Sequence, residues 1–179
     1  MRPRLPPVVH PDDTQSEALA RTRLNVAGEP LNLFATVAHR PQLLTALNTL
    51  GAYLRGSTLI PARERELVIL RTAWYTASDY EIGHHRDMGA RAGLSTVEMD
   101  AAVSGTHRHQ WSIDDAALLS FVDELLRTDD VSDTVWADVG RRCDLVVRLE
   151  LLVRVGYYRM LAGILNGLRV EPDGSEAGD

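Results

Sequence analysis

The stretch RERELVILRTAWYTASDYEIGHHRDMGARAG, residues 63–93, decides the fold of this 179-residue chain. Its apolar spacing predicts two helices joined at a tight corner. The first helix is expected over about residues 61–77, and the second opens at residue 78 or 79 and runs to about residue 92. Four polar side chains stand out within this apolar setting, and they are the first candidates for a functional site: Glu66, Ser78, Glu81 and His85.

Glu66 lies on what the spacing predicts to be a buried face of the first helix. It shares that face with Leu70, Ala73 and Ala77, at the i, i+4, i+7, i+11 positions. A buried carboxylate is costly unless it is paired or hydrogen-bonded. The sequence therefore predicts a partner for Glu66 inside the protein.

Glu81 and His85 are four residues apart, one turn apart on one face of the second helix. If the two helices fold back on each other, Glu66 meets both of them in the groove between the helices. Such a buried carboxylate–imidazole cluster is the kind of place where perturbed pKa values and chemistry occur together.

The spacing Glu66-x11-Ser78-x2-Glu81-x3-His85 resembles the signature of the carboxymuconolactone decarboxylase and alkyl hydroperoxidase D superfamily. In the peroxidase branch of that superfamily two cysteines stand where this chain has Ser78 and Glu81. The resemblance is to the cysteine-free branch, and it is strongest over residues 61–103. It is weaker over 33–54 and 114–170, where only helix order and apolar pattern fit.

The resemblance implies an all-α, compact single-domain helical bundle of the alkyl hydroperoxidase D-like type. It also implies a homo-oligomer, a trimer or a hexamer, acting on a small molecule without a metal or organic cofactor. A thiol peroxidase is excluded, because that chemistry needs a cysteine pair. Decarboxylation or proton transfer on a small organic acid, including lactone chemistry, fits the remaining residues. The predicted catalytic residues are Glu66, Glu81 and His85, and the predicted substrate-binding residues are Ser78, Tyr80, His84 and Trp74.

Each of these residues also has a structural interpretation. Ser78 and Glu81 at a helix start have the spacing of a capping box, in which both side chains satisfy backbone amides. His85 and Glu66 could form a buried structural pair. The alternative function is therefore a non-catalytic helical oligomer or a small-ligand-binding protein.

Composition narrows the remaining function classes. The formal net charge is −6, which does not suggest a nucleic-acid partner, and all 19 basic residues are arginine. A Schiff base on a lysine is thereby excluded. A single cysteine, Cys143, fits a reducing compartment, and no apolar run is long enough for a membrane span or signal peptide, so we expect a cytoplasmic protein. His107 and His109 are a weak metal-binding signal, because a third ligand is missing nearby.

Helix start and stop signals predict six to eight helices and no sheet. Pro41 suits the first turn of a helix that Gly56 ends, Ser95 and Glu98 form a capping box, and Ser112 caps a further helix. We predict a flexible N-terminal arm over residues 1–13, one helical domain over 14–170 and a frayed acidic tail over 171–179.

Overall fold

The computed structural model describes residues 2–25, 27–104 and 110–174. Apart from one isolated bridge between Leu24 and Pro30, these residues contain no β-structure, which confirms the all-α fold. Nine helices lie within the described ranges: α1 Asp13–Leu19, α2 Asn32–Val37, α3 Pro41–Gly56, α4 Ala62–Tyr75, α5 Asp79–Arg91, α6 Thr96–Ala102, α7 Ile113–Thr128, α8 Asp133–Val139 and α9 Leu145–Leu168.

The expected count of six to eight helices is therefore too low. Four of the nine, α1, α2, α6 and α8, have only six or seven residues. Capping by Asp12 or Asp13 predicts a first helix over about residues 14–25, but α1 ends at Leu19 and the chain turns back after it. The Asn25 side-chain oxygen accepts hydrogen bonds from the amides of Ala27 and Glu29, which holds this turn.

The chain divides into two compact units, one made of residues 1–57 and 164–179 and the other of residues 58–163. The single domain over residues 14–170 stays a prediction. The predicted functional residues all belong to the second unit.

In the first unit, backbone hydrogen bonds tie down the N-terminal segment. The Arg4 amide donates to the Leu168 carbonyl at 2.8 Å, and the Val8 amide donates to the Ala35 carbonyl at 3.1 Å. These bonds attach residues 4 and 8 to the rest of the first unit, and the flexible arm over residues 1–13 stays a prediction.

The start of the predicted acidic tail also has a structural role within the first unit. No side chain at the N-cap of α2 accepts a hydrogen bond from that helix. The Asp173 carboxylate instead accepts one from the Asn32 amide at 2.6 Å, so it satisfies one of the unpaired amides at this helix start.

α4 is the central helix of the second unit and packs against α5, α6 and α7. Leu67, Val68, Ile69 and Leu70 are four consecutive residues with at most 1% exposure, so α4 is covered on all sides. Leu67 and Leu70 pack with residues of α6, whereas Val68 packs with residues of α7 and α9.

Two arginines of α4 fix neighbouring helices through ion pairs. Arg63 binds Asp115 of α7 at 2.8 Å and also pairs with Glu98 of α6. Arg71 forms two hydrogen bonds of 2.6 Å with the Asp123 carboxylate of α7. Such bidentate contacts define orientation as well as distance.

The corner between α4 and α5 closes through a left-handed residue. Ala77 has φ of 50°, and the amide of Ser78 donates to the Ala73 carbonyl at 2.9 Å. This bond has the 6→1 pattern of a Schellman motif, in which glycine usually takes the left-handed position. Alanine there costs about 1–2 kcal/mol of backbone strain, and this strained residue adjoins the predicted site.

Candidate functional site

Glu66 and His85 form a buried hydrogen-bonded pair between α4 and α5. Glu66 Oε2 lies 2.6 Å from His85 Nδ1, and the two residues are 1% and 7% exposed. Arg65 Nε also donates to Glu66 Oε1 at 3.3 Å. Because Nδ1 is committed to the carboxylate, any proton that His85 exchanges with a ligand must pass through Nε2.

The Glu66 carboxyl stays ionised in this setting. Burial alone would raise its pKa, but the hydrogen bond and charge of His85, together with those of Arg65, lower the pKa below its ordinary value. An ionised Glu66 holds the His85 ring in one orientation through the bond to Nδ1.

Ser78 and Glu81 do not form the capping box that their spacing allows. Ser78 occupies the N-cap position of α5, yet its side chain accepts no hydrogen bond from the helix. Ser78 Oγ and Glu81 Oε2 are both buried and have no hydrogen-bond partner within the described chain. Residues three apart at a helix start are neighbours, so two unsatisfied polar atoms share one side of the corner.

Burial raises the pKa of Glu81 to about 8. The side chain is only 3% exposed, and no basic partner offsets the loss of water from its charged form. Near neutral pH Glu81 is therefore mainly a neutral carboxylic acid. The pKa values of the two site glutamates thus move in opposite directions, which separates a proton donor from an ionised orienting group.

Tyr158 of α9 completes the cluster, and the sequence analysis did not select it. Its ring meets His85 edge to face, with the centroids 5.1 Å apart, and it is 7% exposed. Burial, followed by the negative charges of Glu81 and Glu66, raises the pKa of its phenol, so Tyr158 stays protonated. The available signal was a line of polar residues at four-residue intervals on an apolar helix: Glu150, Arg154 and Tyr158.

The three other predicted substrate-binding residues lie beside this cluster in different ways. Tyr80 is buried at 8% exposure, and its ring contacts half-buried His84 with centroids 4.8 Å apart. Trp74 is rotated about 80° from Glu66 around α4. Its ring packs on the Arg71 guanidinium, 4.4 Å from the centroid, and meets the Tyr75 ring edge to face with centroids 6.0 Å apart. The substrate-binding roles of all three stay predictions.

A cavity of about 190 Å³ lies in the second unit and another of about 130 Å³ lies in the first, and the Glu66 cluster lines neither of these two. Within the described ranges, no group of three or more His, Cys, Asp or Glu side chains is arranged to hold a metal ion. His107 and His109 lie outside these ranges. No helix of the described chain is long and apolar enough to cross a membrane.

Comparison with known proteins shows which family and which solved structures this chain is similar to. The sequence profile of the carboxymuconolactone decarboxylase family matches residues 41–107, a range that contains α4, α5 and α6. Residues 41–107 of this chain are therefore similar to the carboxymuconolactone decarboxylase family. None of the curated proteins compared with this chain matches.

Solved structures share the fold of this chain at low sequence identity. An uncharacterized peroxidase-related protein from Silicibacter sp. TM1040 aligns over 100% of this chain and 98% of its own, with 13% identity and a TM-score of 0.80. An alkylhydroperoxidase AhpD core protein from Ralstonia eutropha JMP134, also uncharacterized and peroxidase-related, aligns over 92% and 87%, with 17% identity and a TM-score of 0.77.

A third structure, ATU0492 from Agrobacterium tumefaciens, is a protein of unknown function with AhpD as its suggested identity. It aligns over 76% of this chain and 94% of its own, with 18% identity and a TM-score of 0.70. At these identities the likeness establishes the alkyl hydroperoxidase D-like fold alone.

The resemblance places this chain apart from the peroxidase branch at the reactive pair of that branch. Ser78 and Glu81 stand at the positions that the resemblance assigns to the two cysteines, and Cys143, the single cysteine, lies in a different part of the second unit. By this correspondence, a hydroxyl and a carboxyl stand where that branch has two thiols.

Proposed function

We propose that this protein is a cofactor-independent acid–base enzyme that decarboxylates a small organic acid, or moves a proton on its carbon. One observation carries the proposal: a buried, neutral Glu81 with an unsatisfied oxygen lies one turn from an imidazole that an ionised carboxylate orients. Each buried polar group without a partner costs about 1–3 kcal/mol. A bound ligand that pairs with Ser78 Oγ and Glu81 Oε2 would recover this cost.

The substrate class follows from what the cluster can stabilise. Ser78 and neutral Glu81 both offer hydrogen-bond donors to an anion at the N-terminus of the 13-residue helix α5. The neutral state of Glu81 also removes the repulsion that a second ionised carboxylate would impose on an acidic substrate. A small unsaturated acid or lactone acid with a carbonyl conjugated to the reacting carbon fits these requirements.

In the proposed reaction, the carbon–carbon bond to the substrate carboxylate breaks and CO₂ leaves. The bonding electron pair passes into the conjugated carbonyl, which becomes an enolate held by hydrogen bonds. Glu81 then donates its proton to the enolate carbon and is left as a carboxylate. His85 Nε2 returns a proton from solvent to Glu81, while Glu66 keeps the imidazole in the required orientation.

A second candidate function is a non-catalytic helical module in which the Glu66–His85 pair is structural. The observation in its favour is that solvent hardly reaches the cluster: Ser78 is 0% exposed, Glu81 is 3% exposed and His85 is 7% exposed. A ligand would need a local opening to reach them. Against this candidate, a purely structural cluster gains nothing from leaving Ser78 Oγ and Glu81 Oε2 without partners.

The test is a panel of small unsaturated lactone acids and β-keto acids, assayed for CO₂ release and for deuterium uptake at carbon in D₂O. Glu81→Gln should lose at least about 100-fold in turnover, because it cannot donate an acidic proton. Asp79→Asn is the matched control, since it removes an exposed carboxylate from the same helical turn. Full activity of Glu81→Gln, or no turnover of any panel member, would overturn the proposal.

We also propose that a second copy of the chain packs on the exposed face of α9. Exposed positions of α9 alternate at three- and four-residue intervals, the spacing of a coiled-coil seam. Two of them are glycines, with open space where a Cβ would lie. The stripe within the second unit consists of Val146, Leu149, Val153, Gly156, Met160 and Gly163.

Light scattering at micromolar concentration tests this association. A trimer or hexamer that Val153→Glu dissociates would support it, and a wild-type monomer would contradict it. The cytoplasmic location inferred from the single cysteine stays a prediction.

A further inference from the structure

The second unit contains a cavity of about 190 Å³ that no step of the proposed reaction uses. Its inner wall is apolar and comes from the segment before α4, from α7 and from the α8–α9 region. An engineered apolar cavity of about 150 Å³ binds benzene, so this cavity can hold one small ring. The apolar wall residues are Leu59, Ile60, Leu118, Val139 and Val147.

This cavity is separate from the Glu66 cluster. The residue of α4 that lines it is Glu64. Two residues along a helix are about 200° apart around its axis, so Glu64 and Glu66 lie on nearly opposite sides of α4. Loss of one site can therefore be distinguished from loss of the other.

Three carboxylates and one guanidinium line the same cavity. Asp114 accepts a hydrogen bond from Arg142 at 2.9 Å, and Asp138 accepts one from Arg141 at 2.7 Å. Glu64 forms no ion pair with any residue in the described ranges, although Arg142 is near enough for Glu64 to contribute to its raised pKa. Glu64 is thus a half-buried carboxylate beside an apolar chamber, with its hydrogen-bonding oxygens available to a ligand.

We propose that this cavity is a binding site for a small organic ammonium ion, whose apolar body fills the chamber and whose charged nitrogen contacts Glu64. An aromatic or short alkyl amine has the required size and charge. An acidic ligand of the same size is disfavoured, because arginines pair with Asp114 and Asp138 and leave Glu64 as the uncompensated charge at the wall. The proposal does not depend on the proposed reaction.

Cys143 gives this site a direct reporter. It lines the cavity, it is half-buried, and it is the single cysteine of the chain. Modification by methyl methanethiosulfonate, a small neutral thiol reagent, therefore measures access to this cavity alone. The modification rate is followed by intact mass at a fixed, mildly alkaline pH, with benzylamine as the probe and benzyl alcohol as its uncharged isostere.

Benzylamine should slow the modification in a saturable way, with an apparent affinity about fivefold higher than that of benzyl alcohol. Glu64→Gln should abolish this preference for the amine. Asp87→Asn, which removes an exposed charge on α5 outside the cavity, should retain it. Equal affinity for the two probes, no saturable protection, or an unchanged preference in Glu64→Gln would overturn the proposal.

The wild-type protein supports the same test if Glu64→Gln fails to fold. High salt screens a partly exposed ion pair and leaves apolar contacts in place. Raised ionic strength should therefore weaken protection by benzylamine and should not weaken protection by benzyl alcohol. Equal responses of the two probes to salt would contradict the contact with Glu64.

Discussion

Glu81→Gln should remove the loss of stability with rising pH that Glu81 causes in the wild type. Burial raises the pKa of Glu81 from its ordinary value of 4.5 to about 8, so the folded chain binds this proton more tightly than the unfolded chain does. The resulting stabilisation is fully present below the ordinary value of 4.5 and is lost as pH rises through about 8. Glutamine carries no titrating proton and shows no such loss.

The magnitude follows from the free energy per pH unit. Within this window each pH unit changes the free energy of unfolding by about 1.4 kcal/mol, so pH 5 to pH 8 amounts to about 4 kcal/mol as an upper estimate. Relative to Glu81→Gln, wild type should lose about this much between the two conditions, equivalent to roughly 10 °C in melting temperature.

Urea unfolding of both proteins at four pH values between these limits measures the difference directly. Glu29→Gln, at an exposed site, is the control and should run parallel to wild type. A constant difference between wild type and Glu81→Gln across the whole range would refute the reasoning, because it would mean that Glu81 titrates alike in the folded and unfolded chains.

The remaining predictions concern the corner between α4 and α5, the Glu66–His85 pair and Cys143. Ala77→Gly should raise the free energy of unfolding by about 0.5–1 kcal/mol in the same urea assay, because it removes left-handed strain. Ala90→Gly, at an exposed position in the last turn of α5, should instead lower it, by at most about 1 kcal/mol. His85→Ala should destabilise by about 3–5 kcal/mol, because Glu66 is left buried without its partner. Glu66→Gln should keep the fold and lose activity, and a melting temperature as low as that of His85→Ala would contradict this. The protein should not reduce an organic hydroperoxide at the expense of a thiol. A peroxidase activity that disappears in Cys143→Ser would contradict this.

Sequence patterns were sufficient to predict helices α4 and α5 and the contact between Glu66 and His85. A carboxylate on an apolar helix face requires a partner, and the nearest suitable imidazole lies across one tight corner. Local signals also predicted where the longer helices begin, such as Pro41 at the start of α3 and Ser112 at the start of α7. These features depend on residues close together in the chain.

Features that depend on tertiary packing could not be predicted in the same way. Tyr158 reaches His85 from α9, far along the chain, and a tyrosine on an apolar helix is most often a core residue. Ser78 and Glu81 have the spacing of a capping box, but burial at the corner leaves both side chains outside that arrangement. Alanine at position 77 gives no local signal for a left-handed conformation, because glycine is the usual residue there.

The protonation state of Glu81 tests the central claim most directly. Infrared difference spectra between wild type and Glu81→Gln isolate the carboxyl stretch of this one side chain. We expect a protonated carboxyl band near neutral pH that is replaced by carboxylate with a midpoint near the raised pKa of about 8. A carboxylate that is already formed near neutral pH, with a midpoint close to 4.5, would contradict the account.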